Sequence, residues 1–167
     1  MLNSILNLPL PYEIIVSATI TLFTTIFMEW FAWLLHKFVM HGFGWYLHED
    51  HHRYTEKRFQ KNDFFAVFFS ILSFLFIFLG SVYLNLLVWT GIGVAFYGLG
   101  YFLFHDIMFH KRIRNHYHPK NNYMKRIFNA HKYHHQTTNR KGSNGKAYGF
   151  LYARKKYTLL SKNLKTN

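Results

Sequence analysis

FFAVFFSILSFLFIFLGSVYLNLLVWTGIGVAFYGLGYFLF, residues 64–104, is a run of 41 residues without one charged side chain. As a single helix it would extend about 60 Å, roughly twice the hydrocarbon thickness of a bilayer. Two crossings joined by a tight turn fit that length. Gly80–Asn85 is the preferred turn and Thr90–Gly93 the alternative. A first apolar block runs from Ile14 to Leu35, about 33 Å as a helix and enough for one crossing. Pro9 and Pro11 punctuate its start, and Glu13 and Glu29 are its only ionisable neighbours. No basic region precedes it and no small-residue cleavage site follows, so it reads as a span and not as a secretory leader. The fold expected is all-α, one polytopic membrane domain over residues 1–167 with about three to four transmembrane helices. The spans are placed near 14–35, 64–82 and 86–104.

Charge supports that topology. The net charge of +13 suggests at first a nucleic-acid binder, but the basic residues are partitioned. Residues 1–35 and 64–104 hold no Lys or Arg; five lie in 36–63 and fifteen in 105–167. Basic loops flanking apolar spans follow the positive-inside rule, which assigns 36–63 and 105–167 to the cytoplasm. No nucleic-acid partner is expected, because the apolar blocks deny the chain a soluble basic face. The absence of cysteine excludes disulfides, iron–sulfur clusters and thiolate metal sites. Seven carboxylates are too few and too scattered for the Glu-x-x-His pairs of soluble di-iron bundles.

Against this background ten of the twelve histidines fall into four clusters that repeat one pattern. His36-x4-His41 precedes His48-x2-His51-His52, and His105-x4-His110 precedes His131-x2-His134-His135. Imidazole is a neutral ligand that suits iron, zinc and copper, and ten exceed what one metal can hold. Two metal ions in an all-histidine site are expected. Two crossings between the early and late clusters return the chain to one side, so all four meet in a cytoplasmic histidine-rich cap.

Spacing sharpens the picture. On a helix His131, His134 and His135 share one face, as do His48, His51 and His52. Each triplet can point three imidazoles at one place, and adjacent histidines can serve neighbouring metals. The x4 pairs differ, since five residues along an α-helix rotate by about 140° and converge only if the helix ends or is distorted. Gly42 is a candidate stop, and Lys111-Arg112 suits a helix C-terminus. His131–His135 is placed on a short helix after Pro119 and Asn121-Asn122, and Arg140–Lys146 reads as a flexible loop. Glu49, Asp50 and Asp106 flank ligands and are candidates for hydrogen bonding to imidazole N–H. Glu29, an intramembrane carboxylate, is a further candidate, although seven residues place it about 10 Å from His36 along the axis. Solvation of a charged loop is the plainer role for Glu49 and Asp50. His116 and His118 lie outside the repeat and read as non-ligands. A loose metal buffer, a carrier or store, a bis-histidine haem site and a zinc hydrolase compete on ligand type alone.

The histidine motifs together resemble the membrane fatty-acid hydroxylase superfamily (sterol desaturases included) of non-haem di-iron oxygenases. Interleaved residues narrow the resemblance to its bacterial β-carotene hydroxylases: Met28-Glu29-Trp30, His36 through Gly42, His48 through His52, Asn62 through Ala66, Tyr101 through Asp106, Ala130-His131-Lys132 with His134-His135, and Gly149 through Ala153. The resemblance implies His36, His41, His48, His51, His52, His105, His110, His131, His134 and His135 as ligands of two iron ions. It implies O2-dependent 3-hydroxylation of β-ionone rings, β-carotene passing through β-cryptoxanthin to zeaxanthin. A carotenoid ketolase or a fatty-acid or sterol hydroxylase shares the same histidine pattern. The chain carries no nicotinamide, flavin or cysteine motif, so electrons are expected from an external donor of the ferredoxin type. The substrate is expected from the bilayer, with lipids around the spans, in the inner membrane of a bacterium and with the site on its cytoplasmic side.

Overall fold

The computed structural model describes residues 8–53, 59–83, 85–136, 140 and 146–158. Among the described residues every regular element is helical and no strand occurs. Helix α1 spans Leu10–Leu34 and passes into a π-helical segment, Leu35–Phe43. A one-turn α2, Trp45–His48, is followed by a 3-10 turn at Glu49–His52. Helices α3 (Asp63–Val82) and α4 (Leu87–Tyr101) come next, then a second π-helical segment, Phe102–Phe109. Helix α5 (Asn122–His134) and a 3-10 turn at Lys155–Thr158 complete the order.

Among the described residues three helical stretches are long and apolar enough to cross a membrane: Leu10–Phe43, Asp63–Val82 and Leu87–Phe109. The first and third run past the ends that hydropathy suggests, because helical hydrogen bonding continues in π form through each histidine pair. The break between α3 and α4 falls at the preferred turn. There the Asn85 N–H donates to the Gly80 carbonyl (3.0 Å), and Asn85 Oδ1 accepts from the Leu87 N–H (3.0 Å).

The chain divides into two compact units, Met1–Met28 with Phe64–Gly100 and Glu29–Asp63 with Tyr101–Asn167. The first unit is a set of apolar helices whose large side chains, Phe23, Ile26, Ile71, Phe74 and Phe96 among them, are exposed. In water such a surface would aggregate; hydrocarbon is the solvent that suits it. With lipid outside, the helices cannot be held by apolar burial alone, and small residues and hydroxyls do the holding. Ser73 Oγ donates to the Gly91 carbonyl (2.8 Å), and Thr25 Oγ1 to the Gly93 carbonyl (3.1 Å). A Cβ on Gly91 would lie 2.8 Å from the Ser73 carbonyl oxygen, whereas one on Gly98 would meet nothing within 4 Å. Gly91→Ala is therefore expected to destabilise the protein by about 1–3 kcal/mol. Gly98→Ala should leave the unfolding midpoint in detergent unchanged or slightly raised; equal effects of the two would refute this close approach.

The second unit is built on α5. Asn121 caps it, its Oδ1 accepting from the Met124 N–H (2.8 Å), as short polar residues do at helix starts. Met124, Ile127 and Ala130 form its apolar stripe and pack with Ala153, Tyr157, Phe104 and Met108. Asn129 Nδ2 donates to the Tyr157 carbonyl (3.0 Å), fixing the 3-10 turn on the helix. The same helix also carries His131 and His134, with His135 as its C-cap.

Candidate metal centre

His36 and His41 lie in π-helix, and His105 lies in the second π-helical segment with His110 as its C-cap. A π-helix closes its hydrogen bonds between residues five apart, so those residues stack one turn above another. The His110 N–H donates to the His105 carbonyl (3.0 Å) in this register. The imidazole centroids of His36 and His41 are 5.0 Å apart, and those of His105 and His110 4.6 Å. The distortion that the spacing demands is thus π-helical. Gly42 leaves the helical region (φ −101°, ψ −126°) directly after His41, and Lys111 takes a left-handed φ of 53° directly after His110.

All ten patterned histidines gather in the second unit, as two groups of five. His36, His41, His48, His52 and His134 form one; His51, His105, His110, His131 and His135 form the other. Within each group the candidate ligand nitrogens lie within 4.8 Å of one another. Each pentad takes one x4 pair and the outer two members of the triplet that follows it. The middle member crosses over: His134 joins the first pentad and His51 the second. The expectation that a triplet aims all three imidazoles at one place is corrected in this respect, and the reason is angular. On α5 and its C-cap, residues i and i+4 nearly align while i+3 lies on their other side, so His134 faces the neighbouring group. His51 lies in the 3-10 turn after α2, where the α-helical angles do not hold. The rings of His52 and His135 stack at 4.3 Å where the pentads adjoin.

The outer nitrogens decide what the inner ones can be. His36 Nδ1 donates to the Tyr148 carbonyl (2.8 Å), His41 Nδ1 to the Arg140 carbonyl (2.7 Å) and His134 Nδ1 to the Lys146 carbonyl (3.1 Å). His48 Nδ1 donates to Asn62 Oδ1 (2.6 Å), His51 Nδ1 to Gln60 Oε1 (3.0 Å) and His105 Nδ1 to Asp106 Oδ1 (2.7 Å). A neutral imidazole has one N–H, so in these six rings Nε2 is a bare lone pair. Yet Nε2 of His36 and His48 lie 3.1 Å apart, those of His41 and His134 2.9 Å, and those of His51 and His105 3.1 Å. Lone pairs facing lone pairs repel unless a cation sits among them. Protonating one ring would be the alternative, and burial opposes it. Burial, followed by the neighbouring imidazoles, holds His51, His131, His134 and His135 well below the usual imidazole range. Burial does the same for His48 against the opposing pull of Asn62. His135 Nε2 is buried and has no hydrogen-bond partner among the described residues. The donor set fits two cations, one per pentad, with nitrogen ligands that suit iron or zinc.

Of the four carboxylates considered as hydrogen-bond partners of the imidazoles, Asp106 is the one with an imidazole contact among the described contacts. Glu49 pairs with Arg53. Asp50 Oδ2 accepts from the Lys61 N–H (2.7 Å), organising the loop instead. Glu29 Oε1 accepts from three backbone N–H groups, of Phe150, Leu151 and Tyr152. Amides and carbonyls fill the roles expected of acids. Asn62 and Gln60 had a signal, as polar residues just before an apolar block; the carbonyls of Arg140, Lys146 and Tyr148 had none. Most of the Arg140–Lys146 stretch read as a loop lies outside the described residues. His116 and His118 are exposed and belong to neither pentad. An open cleft of about 380 Å³ reaches the pentads between Phe109, Phe128 and Lys132.

With this geometry in place, comparison with known proteins is informative. The sequence model of the fatty acid hydroxylase family matches residues 21–153, which include all ten of these histidines. The chain belongs to the fatty acid hydroxylase family. Within that family it is similar to the β-carotene hydroxylase of Pantoea ananas, 43% identical over 137 residues that cover 82% of this chain and 77% of that one. The β-carotene hydroxylase of Pseudescherichia vulneris is 40% identical over 84% of this chain and 79% of its own. A chloroplastic β-carotene 3-hydroxylase from Gentiana lutea is 31% identical over 74% of this chain but 39% of its own length. No solved structure gives a significant match.

Proposed function

We propose that this integral membrane protein hydroxylates β-carotene at the 3-position of its β-ionone rings, yielding β-cryptoxanthin and then zeaxanthin. The observation that carries the reading is the pair of histidine pentads, in a chain similar along most of its length to bacterial β-carotene hydroxylases. Two iron ions, one per pentad, would supply O2 activation and the oxidising power to break an unactivated ring C–H bond. One oxygen atom enters the new C–OH bond and the other leaves as water, with two electrons and two protons from outside. The ten histidines are the ligands in this reading. Tyr148, Arg140, Lys146, Asn62, Gln60 and Asp106 hold six of them in the tautomer that turns Nε2 inward. The cleft offers an approach to both pentads.

A carotene has no polar handle, so it is taken from the bilayer. The positive-inside partition of the basic residues supports a site on the cytoplasmic side of a bacterial inner membrane. The same basic face suits an acidic electron donor such as a ferredoxin. The test is pigment analysis after expression in a host that accumulates β-carotene. β-Cryptoxanthin and zeaxanthin are expected. Canthaxanthin would replace the reading with ketolation, and unchanged β-carotene in a host with working electron donors would overturn it.

A further inference from the structure

Glu29 lies inside an apolar helix, where an ionised carboxylate is costly unless its oxygens are well bonded. Here Oε1 accepts from the backbone N–H groups of Phe150 (3.0 Å), Leu151 (2.9 Å) and Tyr152 (3.0 Å), three consecutive donors more than 120 residues away in sequence. Consecutive N–H groups converging on one oxygen form an anion-binding concavity, and the carboxylate fills it. The turn is shaped for this. A Cβ on Gly149 would lie 2.5 Å from the Tyr152 carbonyl oxygen and 3.2 Å from Glu29 Oε1, so a side chain there would lift the turn off the carboxylate. Ala147, just before, holds a left-handed φ of 61°.

What the turn does is visible on its other side. The Tyr148 carbonyl accepts from His36 Nδ1, and the Lys146 carbonyl from His134 Nδ1. The Phe150 ring stacks on the His36 ring at 5.0 Å with 11° between planes. The Tyr148 ring packs edge-on against His36, His41 and His134 at 5.1–5.3 Å. One strap of residues 146–152 therefore sets the tautomer of two first-pentad imidazoles and covers three of them. Among the described ring contacts, the strap meets the second pentad at Phe150 against His105, 5.3 Å apart.

We infer that Glu29 is a positioning residue for the first pentad: it touches no imidazole among the described contacts, and acts by clamping the strap that orients His36 and His134. The inference rests on the reading of the pentads as metal ligands. It also explains why a carboxylate is useful at that depth of α1, since a neutral apolar residue would leave three N–H groups of the turn unbonded.

The test compares Glu29→Gln and Glu29→Leu in the full-length, detergent-purified protein, with iron as the probe. Metal per chain, iron dissociation rate and amide hydrogen exchange at Phe150–Tyr152 are measured alongside turnover. Glu29→Leu is expected to speed exchange of those three amides and to weaken one of two irons by about 10–100-fold, the range for lost outer partners. The other iron should stay. Glu29→Gln keeps a carbonyl oxygen as acceptor and should restore most of both readouts. Gly149→Ala, which leaves the carboxylate in place, should reproduce the Glu29→Leu pattern. If the unaltered protein binds no pair of irons, the metal reading itself fails. If it binds two and Glu29→Leu keeps both with unchanged amide protection, the clamp is refuted and the metal reading stands. Loss of both irons together with global loss of protection in Glu29→Leu and Glu29→Gln alike would also refute it, since the role would then be one of folding.

Discussion

His134→Ala is expected to strip the metal of the first pentad and His51→Ala that of the second, each leaving one metal per chain. Sequence position alone predicts the opposite, because His51 sits between two members of the first pentad and His134 between two of the second. Turnover should fall by more than about 100-fold in each case, above the range for residues that merely support a ligand. The loss has two sources. A ligand nitrogen is gone, and its Nδ1 partner loses a donor: the Lys146 carbonyl loses His134, and Gln60 Oε1 loses His51 while keeping Arg112. Double substitutions separate the pentads by elemental analysis. His134→Ala with His36→Ala, both in the first pentad, should still retain one metal. His134→Ala with His51→Ala should retain none, and non-additivity within a pentad is the signature of a shared ion. His118→Ala, exposed and outside both groups, should keep metal content and most activity.

Asp106→Ala comes second in expected effect. Asp106 is buried, accepts from His105 Nδ1 at 2.7 Å, and lies 3.8 Å from Arg112 Nη1. Removing it frees the His105 tautomer, so the lone pair need no longer face the second pentad. It also leaves Arg112 with Asp63 and Gln60 as its side-chain partners among the described residues. A 10–100-fold loss of affinity for one metal is expected. A stability cost of about 1–3 kcal/mol should accompany it. Asp106→Asn retains an acceptor oxygen and should recover most of the stability and part of the affinity. Metal titration and thermal unfolding in detergent read the two effects separately. Equal behaviour of the two variants would show that Asp106 acts by charge alone.

Much of this fold is legible in the amino-acid sequence. Periodicity and charge define spans and loops because a bilayer leaves so little freedom: long apolar runs must be helical, and basic residues must stay out. The H-x4-H spacing requires a distorted helix, and the distortion is π-helical. What the sequence leaves hidden is angular and backbone-borne. Whether His51 faces its own triplet's group or the next depends on the winding of the 3-10 turn that follows a one-turn helix. The carbonyls of Arg140, Lys146 and Tyr148 belong to residues whose side chains give no hint of the role. Glu29 was conspicuous as an acid in an apolar block, but its partners are three amides near the far end of the chain, a pairing no spacing announces. Of the two roles open to Glu49 and Asp50, the contacts made are those of the loop: Glu49 pairs with Arg53, and Asp50 accepts from the Lys61 N–H.

The most direct measurement is an anomalous difference map at the iron edge from crystals of the iron-loaded protein. Two peaks per chain are predicted, one surrounded by His36, His41, His48, His52 and His134, the other by His51, His105, His110, His131 and His135. A single peak shared by all ten histidines, or two peaks that divide the histidines by triplet without the crossing of His51 and His134, would contradict it.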